Sequence, residues 1–148
     1  MAKYKTDWLK AEDITRKWYV VDATDQVLGR LATKVASLLI GKNKVNQVPN
    51  MDHGDYVVVI NSSKVVLTRG KAAKKMYYRH SGYPGGLKEI PFETQMKKNP
   101  NYVIEQAVKN MLPQTKLQQP MMNRMFVYEG ADHDHEAQKP TKYNLSSK

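Results

Sequence analysis

The chain has 148 residues, with 24 Lys and Arg against 14 Asp and Glu, a formal net charge of +10. Its 41% hydrophobic and 26% charged content is that of a globular chain, which excludes wholesale disorder, and the length suits one domain that buries a core without disulfides or structural metals. Zero cysteines exclude a disulfide scaffold, a Cys-based zinc site and thiol catalysis, and suit a reducing compartment.

Residues 1–5 are charged with no apolar segment behind them, so no signal peptide is expected, and no apolar run approaches the roughly 18 residues of a membrane helix. Residues 18–23 (WYVVDA) read as a short, mostly apolar strand buried on both faces. Thr24 or Asp25 then supplies a helix cap, and Leu28, Leu31, Ala32, Val35, Leu38 and Leu39 recur at helical spacing until Gly41. A turn at 52–55 leads into a second buried strand over 56–60, and strand, helix, strand predicts a βαβ unit with a parallel sheet. A third strand is expected at 65–68 and a helical stretch over 71–78, stopped by Gly82, Pro84, Gly85 and Gly86. Asn99 and Pro100 open a helix whose stripe is Val103, Ile104, Ala107, Val108, Met111 and Leu112, ended by Pro113. A weaker helix over 117–124 and a strand over 126–128 follow. The polar segment from Thr141 is expected to lack order of its own. No internal repeat and no second-domain linker is visible.

The charge is concentrated. Residues 1–60 hold nine basic and seven acidic side chains, residues 61–124 twelve and three, and residues 125–148 three and four. No acidic residue occurs between Tyr56 and Lys88, where Lys64, Arg69, Lys71, Lys74, Lys75, Arg79 and Lys88 all fall. A solvated face normally intersperses both signs to limit self-repulsion, so the missing counter-charges point to an outside polyanion.

Motifs for catalysis are absent. Gly41-Lys42 and Gly70-Lys71 lack the earlier glycine and the following hydroxyl of a Walker loop, and the turn at 24–28 has no dinucleotide fingerprint. His133 and His135, flanked by Asp132 and Asp134, would offer neighbouring metal ligands on an extended segment; a polar surface loop is the preferred reading. No nucleophile elbow or paired catalytic carboxylates occur. Residues 74–88 (KKMYYRHSGYPGGLK) are different. Cations neutralise phosphates, tyrosines stack on unpaired bases and glycines let the backbone approach a ligand, which together favour RNA contact over an ordinary basic loop.

Residues 77–88 (YYRHSGYPGGLK) closely resemble the signature of the bacterial-type large-subunit ribosomal protein thirteen family. The likeness extends over roughly 16–140, through 18–23, Leu28-Gly29-Arg30-Leu31-Ala32, Gly41-Lys42, Asp52 with Gly54-Asp55, and Ile60-Asn61. It continues through Ala107-Val108-Lys109, Met111-Leu112-Pro113, Val127-Tyr128 with Gly130, His133, His135, Ala137-Gln138 and Pro140. The chain departs from the family pattern at Arg69-Gly70, where glycine comes first, and at Asn110 in place of glycine. Further departures are Gln118-Gln119 for Gly-Arg and Asp134 within His-Pro-His.

The resemblance implies a three-layer α/β/α single domain with a small parallel sheet, its compact core at about 14–130 and a polar C-terminal tail at 131–148. It implies a non-catalytic role without cofactor or metal, in a cytoplasmic ribosome of a bacterium or in an organelle. That role is to bind large-subunit ribosomal RNA beside neighbouring ribosomal proteins and to support early subunit assembly. Lys71, Lys74, Lys75, Arg79 and Lys88 would bind phosphates; Tyr77, Tyr78, His80 and Tyr83 would shape or stack on RNA; Gly82, Gly85 and Gly86 would let the main chain approach. Arg30, Lys42 and Lys44 form a second candidate patch at the ends of the first helix, and Lys109 and Lys116 complete the set. The alternatives are an enzyme using the 82–86 loop as a phosphate cradle, which alone expects saturable nucleotide binding, and a regulatory protein bound to messenger RNA.

Overall fold

A computed structural model describes residues 10–145; the charged stretch at 1–5 and the last three residues of the tail lie outside the described residues. Strand β1 (Trp18–Asp22) pairs in parallel with β2 (Tyr56–Ile60), Trp18 opposite Tyr56 through Asp22 opposite Ile60. Helix α1 (Leu28–Ile40) makes the crossover between them and buries Leu28, Leu31, Ala32, Val35, Ala36, Leu38 and Leu39, ending at Gly41 in the left-handed region (φ 82°). The βαβ unit is thus present as expected from the apolar spacing.

Two expectations around it are corrected. Neither Thr24 nor Asp25 caps α1: the Thr24 amide and hydroxyl both donate to Asp22 Oδ1, at 3.0 and 2.7 Å, and Asp25 turns at φ 56°. The helix instead starts after Val27, which makes no side-chain cap, and the Leu28 N–H is satisfied by the Val66 carbonyl at 3.0 Å. The strand expected at 65–68 is correspondingly reduced to one bridge between Val27 and Val66, because that segment pairs with a helix entry and not with a strand.

The helical reading of 71–78 also fails beyond its first turn. Helix α2 (Lys71–Lys74) stops, and β3 (Met76–His80) pairs antiparallel with β4 (Leu87–Pro91) in a hairpin missing from the sequence reading. Adjacent tyrosines favour the pleated conformation, and the glycine-rich loop between the strands supplies the reversal. Helix α3 (Phe92–Lys98) follows without a break and was also unread. Helix α4 (Pro100–Lys109) begins as its residues dictate, the Tyr102 N–H donating to the Asn99 side-chain oxygen at 3.1 Å and Pro100 occupying the first turn. It stops at Asn110, earlier than Pro113, which leaves Met111 exposed and Leu112 buried. Helix α5 (Gln118–Met122) and β5 (Met125–Val127) complete the main body.

The sheet order is β5-β2-β1-β6, all parallel, where β6 (Thr141–Lys142) lies against Tyr19 and Val20. Residues expected to lack order of their own therefore form its fourth strand. One face of the sheet, with Val21, Val57, Val59 and Met125, packs on α1 and α4 to make the core. The other face is aromatic. Trp18 stacks on Tyr56 with centroids 4.3 Å apart, Phe126 lies beside them, and His135 tilts over Phe126 at 4.3 Å. The third layer is the segment carrying His133 and His135 and the 3-10 turn Glu136–Gln138. The domain is a single mixed α/β unit with a small parallel sheet, as the resemblance implied.

Candidate nucleic-acid interface

In the antiparallel hairpin, paired residues share a face. Tyr77 pairs with Ile90 and Arg79 with Lys88 on one side; Tyr78 pairs with Glu89 and His80 with Leu87 on the other. The first side leans on α4, where the Tyr77 ring meets Tyr102 edge-on at 6.0 Å. Tyr77 is half-buried while Tyr78 and Tyr83 are 64% and 77% exposed, so the two adjacent tyrosines diverge: one anchors the hairpin and the other faces solvent. Lys75 Nζ lies 5.1 Å from the Tyr77 ring centroid. Burial, and after it the charge of a neighbouring Tyr102 phenolate, pushes the Tyr77 hydroxyl up to about 12. That hydroxyl is also buried without a hydrogen-bond partner, which costs about 1–3 kcal/mol in a folded protein.

Arg79 directly opposite Lys88 is the informative pair. Like charges facing each other across a ladder are destabilising, and among the described residues neither side chain enters an ion pair. Arg79, Lys88, Lys71, Lys74 and Lys75 are all exposed. The loop between the strands is held by the Ser81 N–H to the Gly86 carbonyl at 3.1 Å and the Gly86 N–H to the Tyr83 carbonyl at 2.9 Å. Gly82 and Gly85 turn at φ 91° and 73°, and a side chain on Gly86 would collide with Ser81. The glycines thus shape the loop itself, with open space around Gly82 and Gly85. The His80 ring is also engaged, its Nδ1 accepting from the Gly82 N–H at 2.9 Å.

The remaining candidates do not converge on this surface as one patch. Arg30 and Lys42 are exposed near opposite ends of α1, with roughly 15 Å of helix between Arg30 and Ile40. Arg30 lines a cavity of about 590 Å³ with Lys34 and Tyr143. Lys44 is committed internally: its ammonium sits 2.6 Å from the Asp55 carboxylate and donates to the Thr15 and His53 carbonyls, each at 2.7 Å. Lys109 ends α4 and Lys116 lies in the loop beyond it, both exposed. Arg124, one of the twelve cations of the basic segment, is 6% exposed and paired with Asp52, so its charge is not offered to a partner.

Sequence reasoning missed Gln95, Lys98 and Tyr102, which line a cleft of about 240 Å³ with Tyr77, Arg79 and Ile90. The Lys97-Lys98 doublet was a visible signal, but only the unread α3 brings it to the hairpin. His133 and His135 pack on Tyr128 and Phe126, and the His135 N–H donates to His133 Nδ1 at 3.2 Å. They are partly covered elements of the aromatic layer and not a free polar loop. No group of three or more potential metal ligands occurs among the described residues.

A family model described as ribosomal protein L13 matches residues 16–134. The large ribosomal subunit protein uL13 of Thermobifida fusca is 53% identical over 137 residues, covering 93% of this chain and 92% of its own. The protein of the same name from Thermotoga petrophila is 50% identical over 149 residues, covering 98% and 100%. That from Shewanella amazonensis is 52% identical over 136 residues, covering 92% and 96%. With most of the chain matched at about half identity, the resemblance read from residues 77–88 is borne out: the chain belongs to the ribosomal protein L13 family.

Proposed function

We propose that the protein is a structural constituent of the large ribosomal subunit that binds large-subunit ribosomal RNA through the β3–β4 hairpin and supports early assembly of that subunit. The observation that carries the RNA reading is Arg79 opposite Lys88 on a hairpin that also exposes Tyr78 and Tyr83. A phosphate between the two cations turns a repulsive pair into two charge-assisted contacts. Exposed tyrosines add stacking surfaces for unpaired bases. Lys71, Lys74 and Lys75 extend the cationic surface toward α2, and Gly82, Tyr83, Gly85 and Gly86 give the loop its shape. Arg30, Lys42, Lys109 and Lys116 serve peripheral phosphates; Lys44 contributes least, since Asp55 already holds it. Neighbouring large-subunit proteins and the ribosome of the cytoplasm are the setting.

Large-subunit proteins named uL13 at this level of identity support the ribosomal role. Membership in a ribosomal protein family also removes the nucleotide-using enzyme from consideration. No helix among the described residues is long and apolar enough to cross a membrane.

The test is affinity for large-subunit ribosomal RNA as a function of salt. With about six to eight phosphates engaged, log affinity falls against log salt with a slope of roughly −4 to −7. Salt-independent binding would remove the mechanism. Failure of the protein to sediment with large subunits at the low salt where it binds the RNA would remove the structural role.

A further inference from the structure

We infer that the cleft between the hairpin and the α3–α4 junction receives one unstacked base of the bound RNA, an assignment that rests on the RNA-binding reading above. The cleft holds about 240 Å³, below the roughly 300–1,000 Å³ of sites for drug-sized ligands, which suits one planar ring more than an entire nucleotide. Its walls are aromatic: Tyr77 and Tyr102 meet at 63°, presenting rings in two orientations.

Its polar groups have unused capacity. The Tyr77 hydroxyl is buried with no partner; it can both donate and accept, and a ligand edge reaches it once the side chains covering it shift. Gln95 is only 8% exposed, yet its Nε2 makes one long contact, 3.5 Å to the Asn99 carbonyl. Buried polar groups are ordinarily satisfied, so a hydroxyl and an under-used amide in the same cleft mark a place where a ligand edge completes the bonding. At the rim, Arg79 and Lys98 enter no ion pair among the described residues. A splayed-out base needs this combination: ring faces to stack on, donors and acceptors for its edge, and cations for the flanking phosphates. The sugar and phosphates stay outside.

The experiment measures affinity of the full chain for large-subunit ribosomal RNA at several salt concentrations, beside Tyr77→Phe, Tyr102→Ala and Arg79→Ala. Loss of the stacking ring in Tyr102→Ala weakens binding about 5- to 150-fold. Loss of one hydrogen bond in Tyr77→Phe weakens it about 2- to 10-fold. Both leave the salt slope unchanged, because neither removes a phosphate contact, whereas Arg79→Ala lowers the slope by about 1. Tyr77→Phe keeps the ring and its packing, so it decides the matter even if Tyr102→Ala folds poorly. Unchanged affinity in Tyr77→Phe and Tyr102→Ala beside a loss in Arg79→Ala overturns the base pocket and leaves the RNA reading standing. No binding by the unaltered chain overturns both. Saturation of the cleft by a free nucleoside monophosphate at micromolar concentration, with no RNA present, makes it a small-molecule site and overturns the assignment to a base within a chain.

Discussion

Arg69 turns at φ 58°, in the left-handed region where a side chain crowds the following carbonyl. Asp25 and Asn61 share that conformation but belong to the residue types that tolerate it, since a short polar side chain bonds locally. Arg69 has no such recourse, and Gly70 after it is also left-handed at φ 64°. The departure noted from the sequence, arginine where the family pattern has glycine, therefore falls on a backbone that suits glycine. Arg69→Gly is expected to stabilise the fold by about 1 kcal/mol, raising the unfolding midpoint by about 2–4 °C in a thermal melt. A lowered midpoint would show that the arginine makes a compensating contact. The departure was legible in the sequence; its cost was not, because dihedral strain is set by the turn between two elements and not by residue type alone.

At the level of elements, α1 and α4 were readable because each buries one stripe at a period near 3.6 and is bounded by a residue with a mechanism, Gly41 at the end of the first and Asn99 at the start of the second. The hairpin was not. Of its ten strand residues only Met76, Tyr77 and Ile90 are even partly buried, so no alternation of apolar and polar side chains announces β structure. What was legible was its chemistry, cations interleaved with tyrosines and glycines. A two-stranded hairpin is marginal alone, and this one depends on Tyr77, which packs against the core, with Ile90 partly buried opposite it. The Arg79–Lys88 pair weakens it further. Lys88→Glu converts that repulsion into attraction and is expected to gain about 0.2–1 kcal/mol of stability. The same change loses RNA affinity, because a cation is replaced by an anion on the proposed phosphate face. Opposite signs in a melt and a binding titration are the expected outcome; equal or improved affinity would take Lys88 out of the interface.

For the molecule as a whole, Arg124 closes distant parts of the chain together. It follows α5, pairs with Asp52 before β2, and its guanidinium also donates to the Leu39 carbonyl in α1 at 3.2 Å. The sequence counted it among the surplus cations, since nothing in the local pattern shows that a partner waits 72 positions away. Arg124→Ala leaves Asp52 with a partly buried, unpaired charge and is expected to cost about 3–5 kcal/mol in chemical denaturation. The double variant with Asp52→Ala is expected to cost less than the sum of the two single changes. Additive losses would mean that the two side chains act independently. The sheet shows the same dependence on remote partners. Strand β1 has β2 on one side, reached through a local crossover, but its other edge is covered by β6, more than a hundred residues later. During synthesis β1 therefore keeps one row of amide and carbonyl groups open until residues 141–142 have been made. A growing chain displays a ready template for mispairing at the middle of its own sheet, and the arrival of β6 is what removes it.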